Sequence, residues 1–433
     1  MNSFTKIVSL SFLVANNYGG ALSSMNSQIL ALYQQKSYVK FTITPIVDSL
    51  VTVSIIIGFM FGSIFASSFA KKFSKRNIGG IASLIALACN LLMIIPVHWG
   101  YLVVMRILSG AAIMTIMTLI PGWLFDLSTP AQRNVTSSSY QFFLCLGIFI
   151  NSLTGLIIKD DPDKFWITFI YDSVINFLCS IVCFSIKDVK TEVYEESTTN
   201  LQENTLTLPF NSPKLLKSKI TAVLFSLGAQ ISGINVVMMY ATSIFQNLFN
   251  SPLSSVYGSL IAGGVNALGC LPSIPLIPKL KRKTILLSGW FLMNLGQVIL
   301  IIGNVLNNQM MILAGSIVFL FGFEFGPGTM TVVVLGEIFP RQFTQQLNSL
   351  GYSVMWATNI IVILTFPFFK SIVWAAYVIY FVASLLCGIV LIFTMPETKG
   401  KSVKKIEAEI LGQKDGEEGE NLVDGQYTKE QEM

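Results

Sequence analysis

Gln230, Ser232, Asn235 and Tyr240 stand within one apolar stretch, AQISGINVVMMYATSIF, at 229–245. Hydroxyls and primary amides both donate and accept hydrogen bonds. Further polar side chains interrupt other apolar runs: Gln141, Asn266, Glu324, Trp356, Asn359 and Arg106. The set is mostly neutral amides, with an aromatic ring. A cation site calls for more carboxylates and an anion site for more arginines. Amides suit an uncharged ligand rich in hydroxyl groups. For one Asn or Gln alone, hydrogen-bonded glue between helices is an equally good reading. On an ideal helix Gln230 and Asn235 lie about 140° apart. A break at Gly233, between them, lets both amides face one cavity.

The elements that carry these residues are long apolar runs. Of 433 residues 53% are hydrophobic and only 12% charged, about half the charged share of a soluble domain. Mean hydropathy is +0.66. Many runs exceed the roughly 18 residues that suggest a membrane span. Twelve spans are expected, near 7–29, 44–69, 79–97, 99–124, 136–157, 165–186, 218–246, 254–277, 284–306, 309–335, 345–369 and 372–395. The first is too long for a signal peptide and lacks a clear cleavage site.

Lysine and arginine in the short loops set the orientation. With both termini cytoplasmic, the inner face collects Lys71, Lys72, Lys75, Arg76, Arg133, Lys279, Lys281, Arg282, Lys283 and Arg341. The outer face keeps Lys36, Lys40, Lys159, Lys164 and Lys370. The sequon at Asn134 then faces inward, and no N-glycan is expected. The six cysteines all lie in apolar runs and read as small packing residues. No His, Cys and carboxylate cluster has metal-ligand spacing, and no nucleophile–base pair or phosphate-cradling loop supports an enzyme.

The chain divides into six spans (1–186), a cytoplasmic linker (187–217), six more spans (218–395) and a cytoplasmic tail (396–433) that is polar and expected to be disordered after 411. Each half has a basic loop after its second span, KKFSKRNIGG and KLKRKTILLSG. Each has an acidic residue after its fourth, Asp126 and Glu337. Two similar halves imply a pseudo-twofold repeat with a site between them.

These motifs resemble the sugar porter family of the major facilitator superfamily. AQISGINVVMMYATSIF resembles the family's seventh-span signature. PETKGKS at 396–402 is similar to the sequence after its last span, and FEFGPGTM at 323–330 to its tenth-span GPGP region. RILSG at 106–110, with Asp126 and Arg133, resembles its fourth-to-fifth-span motif. The resemblance implies an all-α membrane protein of twelve helices in two pseudo-symmetric halves, the major facilitator fold. It implies a hexose carrier, glucose-like with fructose as the alternative, working by alternating access. Sugar contacts are implied for Gln141, Gln230, Asn235, Asn266, Glu324, Trp356 and Asn359. A cytoplasmic charge network is implied for Arg76, Asp126, Arg133, Arg282, Glu337 and Glu397.

The departures bear on mechanism. Ala229 replaces one glutamine of the family's pair, and Val332 replaces a tryptophan. Thr344 stands where an arginine is expected, and the segment PESPR after the sixth span is missing. Gly19 occupies the place of the first-span aspartate of proton-coupled members. That leaves Arg106 without its usual carboxylate and favours facilitated diffusion. A proton-coupled symporter and a non-transporting sugar sensor are the alternatives. The expected partners are a small-molecule sugar and the lipid bilayer, with no cofactor, metal or nucleic acid. A monomer is expected to suffice for transport, and the plasma membrane is the expected location.

Overall fold

The computed structural model describes residues 3–24, 44–70, 72–95, 98–160, 164–186, 210–239, 254–331, 343–369 and 372–399, with isolated positions beside them. Its elements are α1 (Ser3–Ser23), α2 (Pro45–Ala70), α3 (Lys75–Met93), α4 (Trp99–Leu127), α5 (Pro130–Asp160), α6 (Trp166–Ser185), α7 (Leu216–Ile231), α8 (Ile234–Met239), α9 (Ser254–Cys270), α10 (Ser273–Leu276), α11 (Arg282–Val305), α12 (Gln309–Phe323), α13 (Thr344–Thr365) and α14 (Val373–Thr394). Among the described residues, ten helices are long and apolar enough to cross a membrane. The remaining two expected spans correspond to α1 and to a shorter apolar segment, Leu260–Leu276. Helices suit this setting because their backbone groups are satisfied within the segment, with no water required.

Pairing of the helices repeats between the halves. In the first half α1 packs on α5 and α6, α3 on α4 and α6, and α2 on α4. In the second, α7 packs on α13 and α14, α11 on α12 and α14, and α9 on α12. The two seams between the halves are also counterparts: α2 against α13, and α5 against α9. Small residues permit the tightest crossings. A Cβ on Gly58 of α2 would lie 2.3 Å from the Ile107 carbonyl of α4, and one on Gly289 of α11 only 2.3 Å from the Gly326 Cα. Such close backbone approach is how helices associate in lipid, where apolar burial alone offers little.

The seventh span is broken, as expected from Gly233. α7 ends at Ile231, α8 begins at Ile234, and Gly233 has φ +79°. The left-handed conformation suits a residue without a Cβ. Breaking the helix frees backbone carbonyls, and neighbours satisfy them. Gln297 Nε2 of α11 donates to the Ser232 carbonyl at 2.8 Å, and Ser232 Oγ to the Ala229 carbonyl at 2.6 Å. A second irregularity follows α12, where Glu324–Gly328 form a π turn. Pro327 lacks an N–H and would collide with the carbonyl four residues back in a regular helix.

Helix ends on the polar side follow capping chemistry. Ser74 Oγ accepts from the Asn77 N–H at the start of α3. At the start of α11 the Glu397 carboxylate accepts from the N–H groups of Arg282 (3.0 Å) and Lys283 (3.2 Å). A carboxylate at a helix N-terminus meets both orphan donors and the positive end of the dipole.

Gly233→Ala is expected to lower the midpoint of thermal unfolding in detergent. A left-handed conformation alone costs a residue with a Cβ about 1–2 kcal/mol, and the new methyl would lie 2.7 Å from a Tyr380 ring carbon. Gly122→Ala, at an open helical position, is expected to leave the midpoint unchanged or raise it.

Candidate functional site

The break in the seventh span brings its two amides together. Asn235 Nδ2 of α8 donates to Gln230 Oε1 of α7 at 2.8 Å. On a continuous helix these side chains diverge; here they form one polar unit. Gln230 is buried and Asn235 half-buried.

A second unit spans the seam between α5 and α9. Gln141 Nε2 of α5 donates to Glu324 Oε2 at 2.9 Å. The π turn aims Glu324 at that seam, and two glycines make room for it. A Cβ on Gly328 would lie 2.6 Å from Glu324 Oε2, and one on Gly269 of α9 3.0 Å from Glu324 Cβ. Two cysteines join this unit. Cys145 Sγ of α5 lies 3.5 Å from Cys270 Sγ of α9, and Cys270 Sγ lies 3.3 Å from Glu324 Oε2. Asn266, one turn before Cys270, donates to Met238 Sδ of α8 at 3.1 Å, which ties the two units together.

Trp356 of α13 lies almost fully buried against Phe59 of α2 and Tyr18 of α1, with ring centroids 4.9 and 5.9 Å away. This aromatic trio crosses the other seam, and neither Tyr18 nor Phe59 was expected in the site. Both amide atoms of Asn359, Trp356 Nε1, Tyr352 Oη and Asn266 Oδ1 are buried without a hydrogen-bond partner among the described residues. Buried polar atoms in native proteins are normally partnered. These orphaned atoms lie on α13, beside the aromatic trio, and on α9, beside the amide units. Six of the seven expected ligand contacts, all but Asn359, therefore belong to these three assemblies, and Asn359 lies on α13 one turn beyond Trp356.

The charge network is only partly visible. The side chains of Asp126 and Arg133, and Glu337, Val332 and the tail after 411, lie outside the described residues. Arg76 Nε is buried without a hydrogen-bond partner among the described residues. Arg282 donates to the Ile277 carbonyl, and Glu397 braces the first N–H groups of α11.

One expectation needs correction. Arg106 does have a carboxylate within electrostatic reach, Asp172 of α6. Arg106 Nε donates to the Val51 carbonyl at 3.1 Å, while its two terminal nitrogens are buried without hydrogen bonds among the described residues. Asp172 Oδ1 accepts from Asn151 Nδ2 at 3.0 Å. The reason the charge comes from α6 is steric. A Cβ on Gly19 would lie 2.2 Å from the Leu144 carbonyl, so no side chain fits there, whereas Gly20 leaves the space that Asp172 Oδ1 fills, 2.4 Å from where a Cβ would be. Around this pair Asn17 and Asn176 exchange hydrogen bonds of 2.6 and 2.8 Å, and Tyr171 donates to Asn16. The cysteines are free and buried, as packing residues are, and the fold also brings Cys145 and Cys270 beside Glu324, a grouping that spacing along the chain did not reveal.

Comparison with known proteins agrees with this architecture. The chain is 26% identical to the rat (Rattus norvegicus) solute carrier family 2, facilitated glucose transporter member 2, over 72% of this chain and 67% of the relative. It is 25% identical to facilitated glucose transporter protein 1 of Caenorhabditis elegans, over 76% and 73%. Its fold matches the proton:xylose symporter XylE of the major facilitator superfamily, bound to 6-bromo-6-deoxy-D-glucose, with a TM-score of 0.82 at 19% identity, covering 94% of this chain and 98% of that one. The partially occluded inward-open form of XylE from E. coli matches with a TM-score of 0.74 at 17% identity, covering 93% and 100%. The family model described as sugar (and other) transporter matches residues 16–410. A chain of repeated helical halves, with buried amides gathered along the seams, thus belongs to the sugar (and other) transporter family: it is a multi-pass membrane transporter and not an enzyme.

Proposed function

We propose that the chain carries a hexose-sized neutral sugar across the membrane by alternating access, as facilitated diffusion. The observation that carries this reading is the Gln230–Asn235 pair. A helix broken in the apolar core, at the expense of its own backbone bonds, presents two adjacent amides that a pair of ring hydroxyls can bridge. Gln141 and Glu324 supply an acceptor-rich second contact, and Trp356 an aromatic face for the C–H side of the sugar. Asn266 and Asn359 hold unsatisfied amide atoms for further hydroxyls. The seams α2–α13 and α5–α9 are the surfaces over which the halves rock. Likeness to facilitated glucose transporters supports the uncoupled mode. Both termini are proposed to face the cytoplasm of a plasma-membrane carrier that acts as a monomer, its inner side closed by the charged loop residues.

Asp172 favours a second reading, proton-coupled uptake. It lies within electrostatic reach of Arg106, accepts from Asn151 of α5, has Ser24 just beyond α1 close by, and has Tyr171 beside it on its own helix. A carboxylate held between an arginine and neutral donors can exist with or without its proton as the surroundings change.

Radiolabelled glucose and fructose uptake into proteoliposomes tests both. Saturable uptake that stops at equal concentrations, with or without an acid exterior, is the expected outcome for facilitated diffusion. Accumulation above equilibrium under an acid exterior, lost in Asp172→Asn while sugar exchange persists, would establish the second reading instead. Absence of saturable uptake for either sugar would overturn the hexose reading.

Gln230→Ala and Asn359→Ala are expected to raise the half-saturating sugar concentration about tenfold each. One hydrogen bond to a neutral hydroxyl contributes about 0.5–1.5 kcal/mol, and 1.4 kcal/mol is tenfold in affinity. Uptake titrations with unchanged protein yield and unfolding midpoint check this; an unaltered half-saturation in both variants would remove these amides from the sugar path.

A further inference from the structure

We infer that Cys145, Cys270 and Glu324 form a site for a thiophilic divalent cation such as Zn2+ or Cd2+, and that occupancy clamps the two halves together. The three donor atoms lie within 4.8 Å of one another, and all three residues are buried. Their edges have the size that tetrahedral coordination requires. Zinc–sulfur bonds of about 2.3 Å set two sulfurs about 3.8 Å apart, and a zinc–oxygen bond of about 2.0 Å sets sulfur and oxygen about 3.5 Å apart. The observed separations are 3.5 Å between the sulfurs and 3.3 Å from Cys270 Sγ to Glu324 Oε2. The cation enters as these donors part by a few tenths of an ångström.

Donor chemistry also fits. Thiolates prefer soft and borderline cations, so Mg2+ and Ca2+, which want oxygen ligands, are disfavoured. Each thiol gives its proton to solvent on binding, and the resulting two thiolates and carboxylate surround the dication. Gln141, with its amide nitrogen 2.9 Å from Glu324 Oε2 and 3.8 Å from Cys145 Sγ, borders the fourth side. No cluster of this kind is formed by the other thiol pair. Cys179 and Cys183 are neighbours on the single helix α6, and no carboxylate joins them among the described residues.

The functional consequence follows from where the ligands come from. Cys145 belongs to α5 in the first half; Cys270 and Glu324 belong to α9 and the π turn of the second. A cation bridging them ties the α5–α9 seam shut and draws Glu324 away from Gln141. This part of the inference rests on the proposed transport cycle; the site itself does not.

The test uses the purified full chain in detergent under a non-thiol reductant, titrated with Cd2+ alone. The expected result is one tightly bound ion with a thiolate-to-metal charge-transfer band in the near ultraviolet. That band is lost in Cys145→Ser and in Cys270→Ser, weakened in Glu324→Gln, and kept in the Cys179→Ser/Cys183→Ser variant. In proteoliposomes, Cd2+ is expected to reduce sugar uptake at least tenfold, reversed by a chelator. Each serine variant is compared with its own metal-free rate and is expected to resist the ion. No band in the wild type, or a band that survives in the Cys145→Ser/Cys270→Ser variant, would overturn the site. Stoichiometric binding without inhibition of measurable uptake would overturn the clamp. A chain that binds Cd2+ but moves no hexose would leave the site standing and count against the sugar reading alone.

Discussion

Lipid offers no hydrogen bonds, and the rest of this structure depends on how that constraint is met. Every polar group placed in the apolar layer needs a partner from the protein, a ligand or water. Unbroken helices would satisfy it without effort; the seventh span does not conform. Its interruption at Ser232–Gly233 exposes carbonyls that Gln297 and the Ser232 hydroxyl must answer. Gln297 comes from α11, so the break holds only where α7 and α11 are packed as neighbours through α14. The site amides are therefore products of tertiary packing as much as of local sequence.

Contacts across the two seams are neutral or singly charged: an amide on a carboxylate, two thiols, an aromatic trio, and the hydroxyls of Ser63 and Ser353 at 3.3 Å. Interhelical polar contacts in membranes contribute on the order of 0.6–2 kcal/mol each. That range suits surfaces that must hold and release repeatedly. Buried ion pairs would resist separation far more strongly, because parting them leaves uncompensated charge in a low-dielectric layer. Arg106 and Asp172, by contrast, are both carried by helices of the first half and travel together.

Much of the architecture was legible in the sequence. Span positions followed from apolar length, and the break at Gly233 from a glycine between two amides that a straight helix would have separated. The π turn was not anticipated, although a Gly-Pro-Gly run after a lone glutamate stands at its place. What stayed hidden required knowledge of which helices touch. Asp172 sits alone in an apolar run, with no motif to connect it to Arg106. Cys145 and Cys270 each look like packing residues until α5 is laid against α9. Tyr18 and Phe59 are ordinary aromatics until Trp356 packs against both. Glu397 was expected among charged side chains, yet its carboxylate answers backbone N–H groups, an interaction that carries no residue-type signature in its partner.

The vacancy above Gly20 has a consequence for the history of such chains. The carboxylate of Asp172 fills the volume that any side chain at position 20 would need. A lineage that acquires a larger residue on the first helix must surrender or displace the acid on the sixth, and one that loses the acid gains freedom on the first. The two sites are thus bound to drift as a pair. Descendants of this sequence are expected to show linked substitutions at 20 and 172, a record of packing written between distant points of the gene.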